Sequence, residues 1–173
     1  VLPNGQIADQ STALKETLLA VKDKYYENRG HAGLACAMKN AGVGVGLPDK
    51  GRAKICIENG KARLYTAASD IGQGSTTVMI QYITEAAGLP WRDIVYTECS
   101  TENSPDSGTT SGSRQTLITG EAVRGAAHLL RKALDKVDGD LTKLEGREFF
   151  YEYFEPTDKL GADKPFPKRH IAY

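Results

Sequence analysis

Among 173 residues the basic and acidic side chains balance at 22 against 22, which argues against a nucleic-acid or membrane surface and for small molecules or other chains as partners. Cys36, Cys56 and Cys99 form no Cys-x-x-Cys pair and have no histidine cluster beside them, so they read as reduced, buried or half-buried thiols and not as a disulfide framework or a zinc site. No run approaches the ~20 apolar residues of a membrane span, and the first residues lack a basic-then-apolar secretory pattern, so a soluble, cytoplasmic protein of one well-packed domain is expected.

The first stretch, 1–29, reads as a leader followed by an amphipathic helix. Gln10, Ser11 and Thr12 are placed to cap it, and Leu14, Leu18, Val21 and Tyr25 recur at helical spacing, so the helix is expected to cover a core face. After Asn28-Arg29-Gly30 the texture changes to small residues without helical period, and residues 30–173 are taken as the main domain. A strand is expected over Gly33 to Lys39, then an irregular loop containing "GVGVG", Gly42 to Gly46. That run lacks a third glycine at the dinucleotide-binding offset and is not followed by a helical pattern, so it is read as a loop.

"AKICIENGKARLYTA", Ala53 to Ala67, holds two alternating runs joined by Asn59-Gly60, the pair that best tolerates the positive φ angles of a type I′ turn. A hairpin follows. Its second strand runs into "SDIGQGSTT", Ser69 to Thr77, and from Thr76 to Ala87 the residues Met79, Tyr82, Ile83 and Ala86 form a helical stripe that Gly88-Leu89-Pro90 stops. A strand is expected at Asp93 to Cys99. "STENSPDSGTTSGS", Ser100 to Ser113, is then a long stretch of loop formers, of the kind that is functional or disordered inside a compact domain. It feeds a helix from about Thr116 to Val137, in which Gly120, Gly125, Ala126 and Ala127 predict close packing against other backbone. A strand at Phe149 to Glu155 and a charged tail complete the pattern. "FPKRHIAY" looks like the approach to a further strand, and the chain is expected to be a fragment of a larger polypeptide. The fold class is α+β, a mixed sheet with helices packed on it.

Both special loops share one plan: a strand, a turn of small residues, then a helix N-terminus. Such a place gathers backbone N–H groups and the positive end of a helix dipole, which suits an anion or the polar edge of a cofactor. Gly72 and Gly74 let backbone approach a ligand, and Gln73 carries a donor and an acceptor on one amide. In the second loop Thr110, Ser111, Ser113 and Thr116 offer hydroxyls, Gly112 offers room, and Arg114 a positive fork suited to phosphate. A plain helix cap remains open for Gly72 to Thr76. Neither loop has the Gly-x-x-x-x-Gly-Lys-Ser/Thr spacing of a phosphate-binding P-loop.

Catalytic groups are scarce. His31, His128 and His170 are far apart, and Glu98, Glu102 and Asp106 match no metal loop. Ser113 lacks a nucleophile elbow, and Asp70 reads as the acceptor that holds the first turn and not as a general base.

The ordered segment "DIGQGSTTVMIQYITEAAGLPWRDIVYTECSTENSPDSGTTSGSRQTLITGEAVRGAA", Asp70 to Ala127, resembles the large molybdopterin-binding subunit of the molybdenum hydroxylases, the xanthine dehydrogenase and aldehyde oxidase family. The likeness extends over Gly30 to Lys136. It implies that Gly72, Gln73 and Gly74 contact the pterin end of the cofactor near molybdenum, with the metal held through the pterin dithiolene and by no side chain of this segment. It implies that Thr110, Ser111, Gly112, Ser113, Arg114, Gln115 and Thr116 bind the phosphate, or the diphosphate of the cytosine dinucleotide form that the bacterial-type Gly-Ser-Arg loop suggests. The family inserts a water-derived oxygen into a C–H bond of an N-heterocycle or aldehyde and passes electrons to iron–sulfur clusters and FAD on partner domains or subunits. The family's catalytic glutamate motif and cluster cysteines have no counterpart here, so the segment is expected to be inactive alone. A non-catalytic module gripping a nucleotide or phosphate on the same fold remains the alternative.

Overall fold

The computed structural model describes residues 13–37, 39–41, 48–111, 113–156 and 170–172. The Asn59-Gly60 pair sets the architecture, because both residues take positive φ, 55° and 68°, as the type I′ turn requires. The turn joins β2 (Asp49–Glu58) to β3 (Lys61–Tyr65) in antiparallel register, with Glu58 opposite Lys61 and Lys54 opposite Tyr65. Glu145 fastens it from outside, accepting from the Asn59 and Gly60 amides at 2.8 and 3.0 Å. From β3 the chain crosses through α2 (Ser75–Ala87) to β4 (Ile94–Tyr96), which returns parallel to β3, as a strand–helix–strand crossover does. β5 (Glu148–Glu155) adds antiparallel to the free edge of β2 and gives a mixed sheet of order β4-β3-β2-β5.

One face of this sheet is apolar by alternation: Ala53, Ile55 and Ile57 on β2, Ala62 and Leu64 on β3 and Phe149 on β5 are buried. Against it lie α2, through Met79, Ile83 and Ala87, and α3 (Gly120–Leu134), through Ala122, Val123, Ala126, Ala127, Leu130 and Leu134. The opposite face carries ion pairs, with Arg52 Nε 2.6 Å and Lys50 Nζ 3.8 Å from Glu152.

Small residues in α3 allow close approach, but to aromatic rings and not to backbone as expected. A methyl group on Gly120 would lie 2.6 Å from the Tyr82 ring, and one on Gly125 would lie 2.3 Å from Tyr151. The close backbone contact falls at Gly51 instead, where a Cβ would stand 2.4 Å from the Ile118 carbonyl oxygen. Ile118 belongs to a π-helical turn, Gln115–Thr119, that precedes α3, so the predicted single helix has a wider first turn.

Two expectations need correction. α1 (Leu14–Glu27) forms where the periodicity places it, yet none of its residues is buried, and Leu14 and Val21 of the apolar stripe are exposed. A helical period shows that a face wants burial; among the described residues no core meets it. The strand predicted at Gly33 to Lys39 is irregular over 32–37, and β1 (Lys39–Ala41) starts where antiparallel pairing to β6 (His170–Ala172) begins. The capping residues Gln10 to Thr12 and the loop Gly42 to Gly46 lie outside the described residues.

Candidate functional site

Parallel β3 and β4 end side by side, so the segments leaving them run out over the same edge of the sheet. That is where open α/β sheets place ligands. The two segments are tied at the base: the Ala67 amide donates to the Pro105 carbonyl at 3.1 Å, and Tyr96 Oη donates to Ala68 O at 2.7 Å. Higher up, the Ser69 amide donates to Thr110 Oγ1 at 3.1 Å, and Gln115 Nε2 donates to the same hydroxyl at 3.1 Å. Between them opens a cavity of about 410 Å³ lined by Ile71, Gln73, Ser75, Thr110, Ser111, Ser113, Arg114, Gln115 and Thr116. The structure thus brings most of the side chains expected from the two loops into one place. Gly72 and Gly74 shape the first loop with φ of 102° and 80°, and Gly112 lies outside the described residues.

The first loop is held by Asp70. Its carboxylate accepts from the amides of Gly72 at 2.9 Å, Gly74 at 3.2 Å and Thr76 at 3.0 Å. These donations, the Thr76 amide foremost, favour the charged form and hold the carboxyl below its ordinary value of 3.8. A side-chain anion therefore already sits at the N-terminus of α2. Gln73 folds back into the same turn: Oε1 accepts from the Ile71 amide at 2.6 Å, and Nε2 donates to Ser69 O and Ser75 Oγ, both at 3.1 Å.

The second loop is pinned to β2. Ser107 Oγ donates to Arg52 O at 2.9 Å and lies 2.5 Å from Thr66 Oγ1. Arg114 is 2 % exposed, and its guanidinium points inward to Asp49 and to the carbonyls of Lys50, Ser107 and Thr109. The fork expected to meet phosphate is taken up by these protein acceptors. Gln115 is also engaged, donating to Thr110 and Gly108 and accepting from Thr119 Oγ1. What remains toward the cavity is hydroxyl: no hydrogen bond among the described residues engages the side chains of Ser111, Ser113 or Thr116. Ser113 takes a φ of 55°, and the Thr116 carbonyl accepts from Tyr82 Oη at 3.0 Å, which fixes the loop end to α2.

Sequence reasoning missed Ile71 and Ser75 on the cavity wall, although both flank the Gly-Gln-Gly turn. It also missed Asp49, whose partner Arg114 is 65 positions away with no local signal. Among the described residues no group of three or more His, Cys, Asp or Glu is placed to hold a metal ion.

Two loops at neighbouring strand ends close on one cavity in a domain of the α+β class. The chain belongs to the family of molybdopterin cofactor-binding domains, whose model matches residues 10–162. It is 29% identical over 178 residues to the aldehyde oxidoreductase of Megalodesulfovibrio gigas, a match covering 94% of this chain and 18% of that protein. It is 30% identical over 108 residues to a xanthine dehydrogenase molybdenum-binding subunit of Escherichia coli, covering 61% of this chain and 14% of that subunit. The fold is shared with the solved aldehyde oxidoreductase of Desulfovibrio gigas at a TM-score of 0.73 and 21% identity, covering 98% of this chain and 21% of that one. The matches therefore span between about a seventh and a fifth of the length of these relatives.

Proposed function

We propose that this chain is part of the molybdopterin-binding catalytic subunit of a xanthine dehydrogenase or aldehyde oxidase-type hydroxylase, with residues 30–173 as the cofactor-binding domain. The observation that carries the reading is the shared cavity: a segment identified by its two loops has side chains of both loops on one pocket, with three hydroxyls left for a ligand. The donor set fits a phosphate-bearing pterin cofactor, preferably the cytosine dinucleotide form. Ser111, Ser113 and Thr116 would donate to phosphate oxygens, with Gly112 giving room between them. Gly72, Gln73 and Gly74 would lie along the pterin, where Asp70 already fills the anion-seeking end of α2 and leaves a neutral edge. Thr110, which accepts from the Ser69 amide across the gap and is held from its own loop by Gln115 Nε2, would keep the two loops at a fixed spacing.

When bound, the cofactor would supply hydroxylation of an N-heterocycle or aldehyde with water-derived oxygen. This chain would bind and orient it, and the catalytic base would come from elsewhere in the subunit. FAD and iron–sulfur clusters on partner domains or subunits would take the electrons. No described helix is long and apolar enough to cross a membrane; the enzyme is proposed to be cytoplasmic. The test is to purify the full-length polypeptide from a host that makes the cofactor and to measure molybdenum and released nucleotide together. Molybdenum with equimolar cytidine nucleotide supports the reading. Neither, from a competent host, would leave the non-catalytic phosphate-binding module in its place.

A further inference from the structure

We propose that Arg114 is a positioning residue and not a phosphate ligand: with Asp49 it forms a buried bolt that sets the second loop against β2. Arginine has five N–H donors in a fixed fork, and here the fork makes four hydrogen bonds to protein acceptors beside its ion pair with Asp49. Nε donates to Asp49 Oδ1 at 2.7 Å, and Nη2 lies 2.6 Å from the same oxygen while also donating to Lys50 O. Nη1 donates to Ser107 O at 2.6 Å and to Thr109 O at 3.0 Å. With every guanidinium nitrogen already donating to protein and the side chain 2 % exposed, a phosphate could reach the guanidinium only by dismantling the loop.

An independent observation points the same way. The loop closes around the guanidinium so tightly that a Cβ on Gly108 would stand 3.0 Å from Nη1, and Gly108 takes a φ of 73° that glycine alone adopts freely. Lysine cannot replace this arrangement, since its ammonium offers three donors from a point and the acceptors are arranged around a plane. The pair resembles buried ion pairs generally, in which removal of one partner leaves an uncompensated charge. What the bolt fixes is the course of Ser107 to Arg114, hence where Ser111 and Ser113 present their hydroxyls. That those hydroxyls meet a cofactor phosphate rests on the function proposed above; the bolt itself does not.

The test uses the full-length polypeptide in two states, purified from a host unable to make the cofactor and from one able to. In the cofactor-free protein, amide hydrogen exchange is followed across 107–116 in wild type, Asp49→Asn and Arg114→Lys. Both variants are expected to exchange about tenfold faster or more in this segment, with Ile55 and Leu64 amides unchanged. In the loaded state Asp49→Asn, although its side chain is buried beneath the loop, is expected to lose nucleotide as Arg114→Lys does. Unchanged exchange without cofactor, together with nucleotide loss in Arg114→Lys alone, would overturn the proposal and make Arg114 a ligand. If a single variant fails to fold, the double variant Asp49→Leu with Arg114→Met removes both charges at similar volume, and slow exchange across 107–116 in it would equally overturn the bolt. Absence of molybdenum and nucleotide from the wild type would refute the proposed function while leaving the exchange result readable.

Discussion

Gly51→Ala should cost more than its one added methyl group suggests. The new Cβ would lie 2.4 Å from Ile118 O, 2.7 Å from Ile118 C and 2.9 Å from Thr119 Cα. Carbon–oxygen contacts settle at about 3.3–3.6 Å, so β2 and the π-helical turn must part by about 1 Å. All three atoms are backbone, and no side-chain rotation relieves the clash. Overpacking of this kind costs ~1–3 kcal/mol, and the upper end applies where nothing can give. Reduced freedom of the unfolded chain returns roughly 0.4–1 kcal/mol, leaving a net loss of about 2 kcal/mol.

Gly125→Ala is the control, because its added methyl would strike the Tyr151 ring at 2.3 Å, an equally close contact. Tyr151 is 40% exposed and its ring can swing toward solvent, at roughly 0.5–1.5 kcal/mol for the poorer rotamer. Alanine also gains roughly 0.8–1 kcal/mol over glycine inside a helix, so this change should be near neutral. In urea, with a slope of about 1–3 kcal/mol per molar, the midpoint of Gly51→Ala should fall by about 1 M while that of Gly125→Ala barely moves. Equal midpoints for the two variants would refute the reasoning, since it rests on backbone being unable to yield where a ring can.

Other outcomes follow from the same geometry. Gln73→Ala removes hydrogen bonds that stay inside one exposed turn, so stability should fall by no more than about 1–2 kcal/mol in a denaturant titration, while molybdenum retention in the full-length protein drops sharply. Asp70 has its carboxyl held below 3.8, so its support of the turn is complete above that value and is lost as pH falls through the lowered pKa. The Gly72, Gly74 and Thr76 amide resonances should report that loss in acid, and Asp70→Asn should abolish the titration. Leu130→Ala, at a fully buried position between α3 and the sheet, should cost ~2–5 kcal/mol by thermal or urea unfolding without changing the cavity's residues.

The hairpin was legible because Asn59-Gly60 is a local conformational demand, and the end of α2 because Gly88 is the left-handed cap that stops it. The existence of α1 was equally legible from its period, and its lack of a buried face was not, because periodicity carries no information about the partner. The same division holds at the site. Local composition marked Gly72 to Gly74 and Thr110 to Thr116 as loops before helices, and the structure puts Gln73 from the first and Thr110, Ser111 and Ser113 to Thr116 from the second on one cavity. Whether a charged side chain there faces out or in depends on what lies beneath it, and for Arg114 that is Asp49, at the start of a strand 65 positions earlier.

The consequence for recognition concerns charge. Asp70, in the first loop, is held by three backbone amides, and Arg114, in the second, by Asp49 and backbone carbonyls. An anion entering between the loops would therefore meet neutral hydroxyls and loop backbone, and no free cation from the lining residues. Binding built on neutral donors depends on their placement, because each bond is modest and a displaced hydroxyl returns to water at little cost. Binding built on a surface cation depends on Coulomb attraction and weakens as salt rises. On the function proposed above, the first kind would place the specificity of this site in loop geometry, and Asp49, Ser107, Gly51 and Tyr82, which are not among the residues lining the cavity, should then matter to cofactor retention as much as Ser111, Ser113 and Thr116.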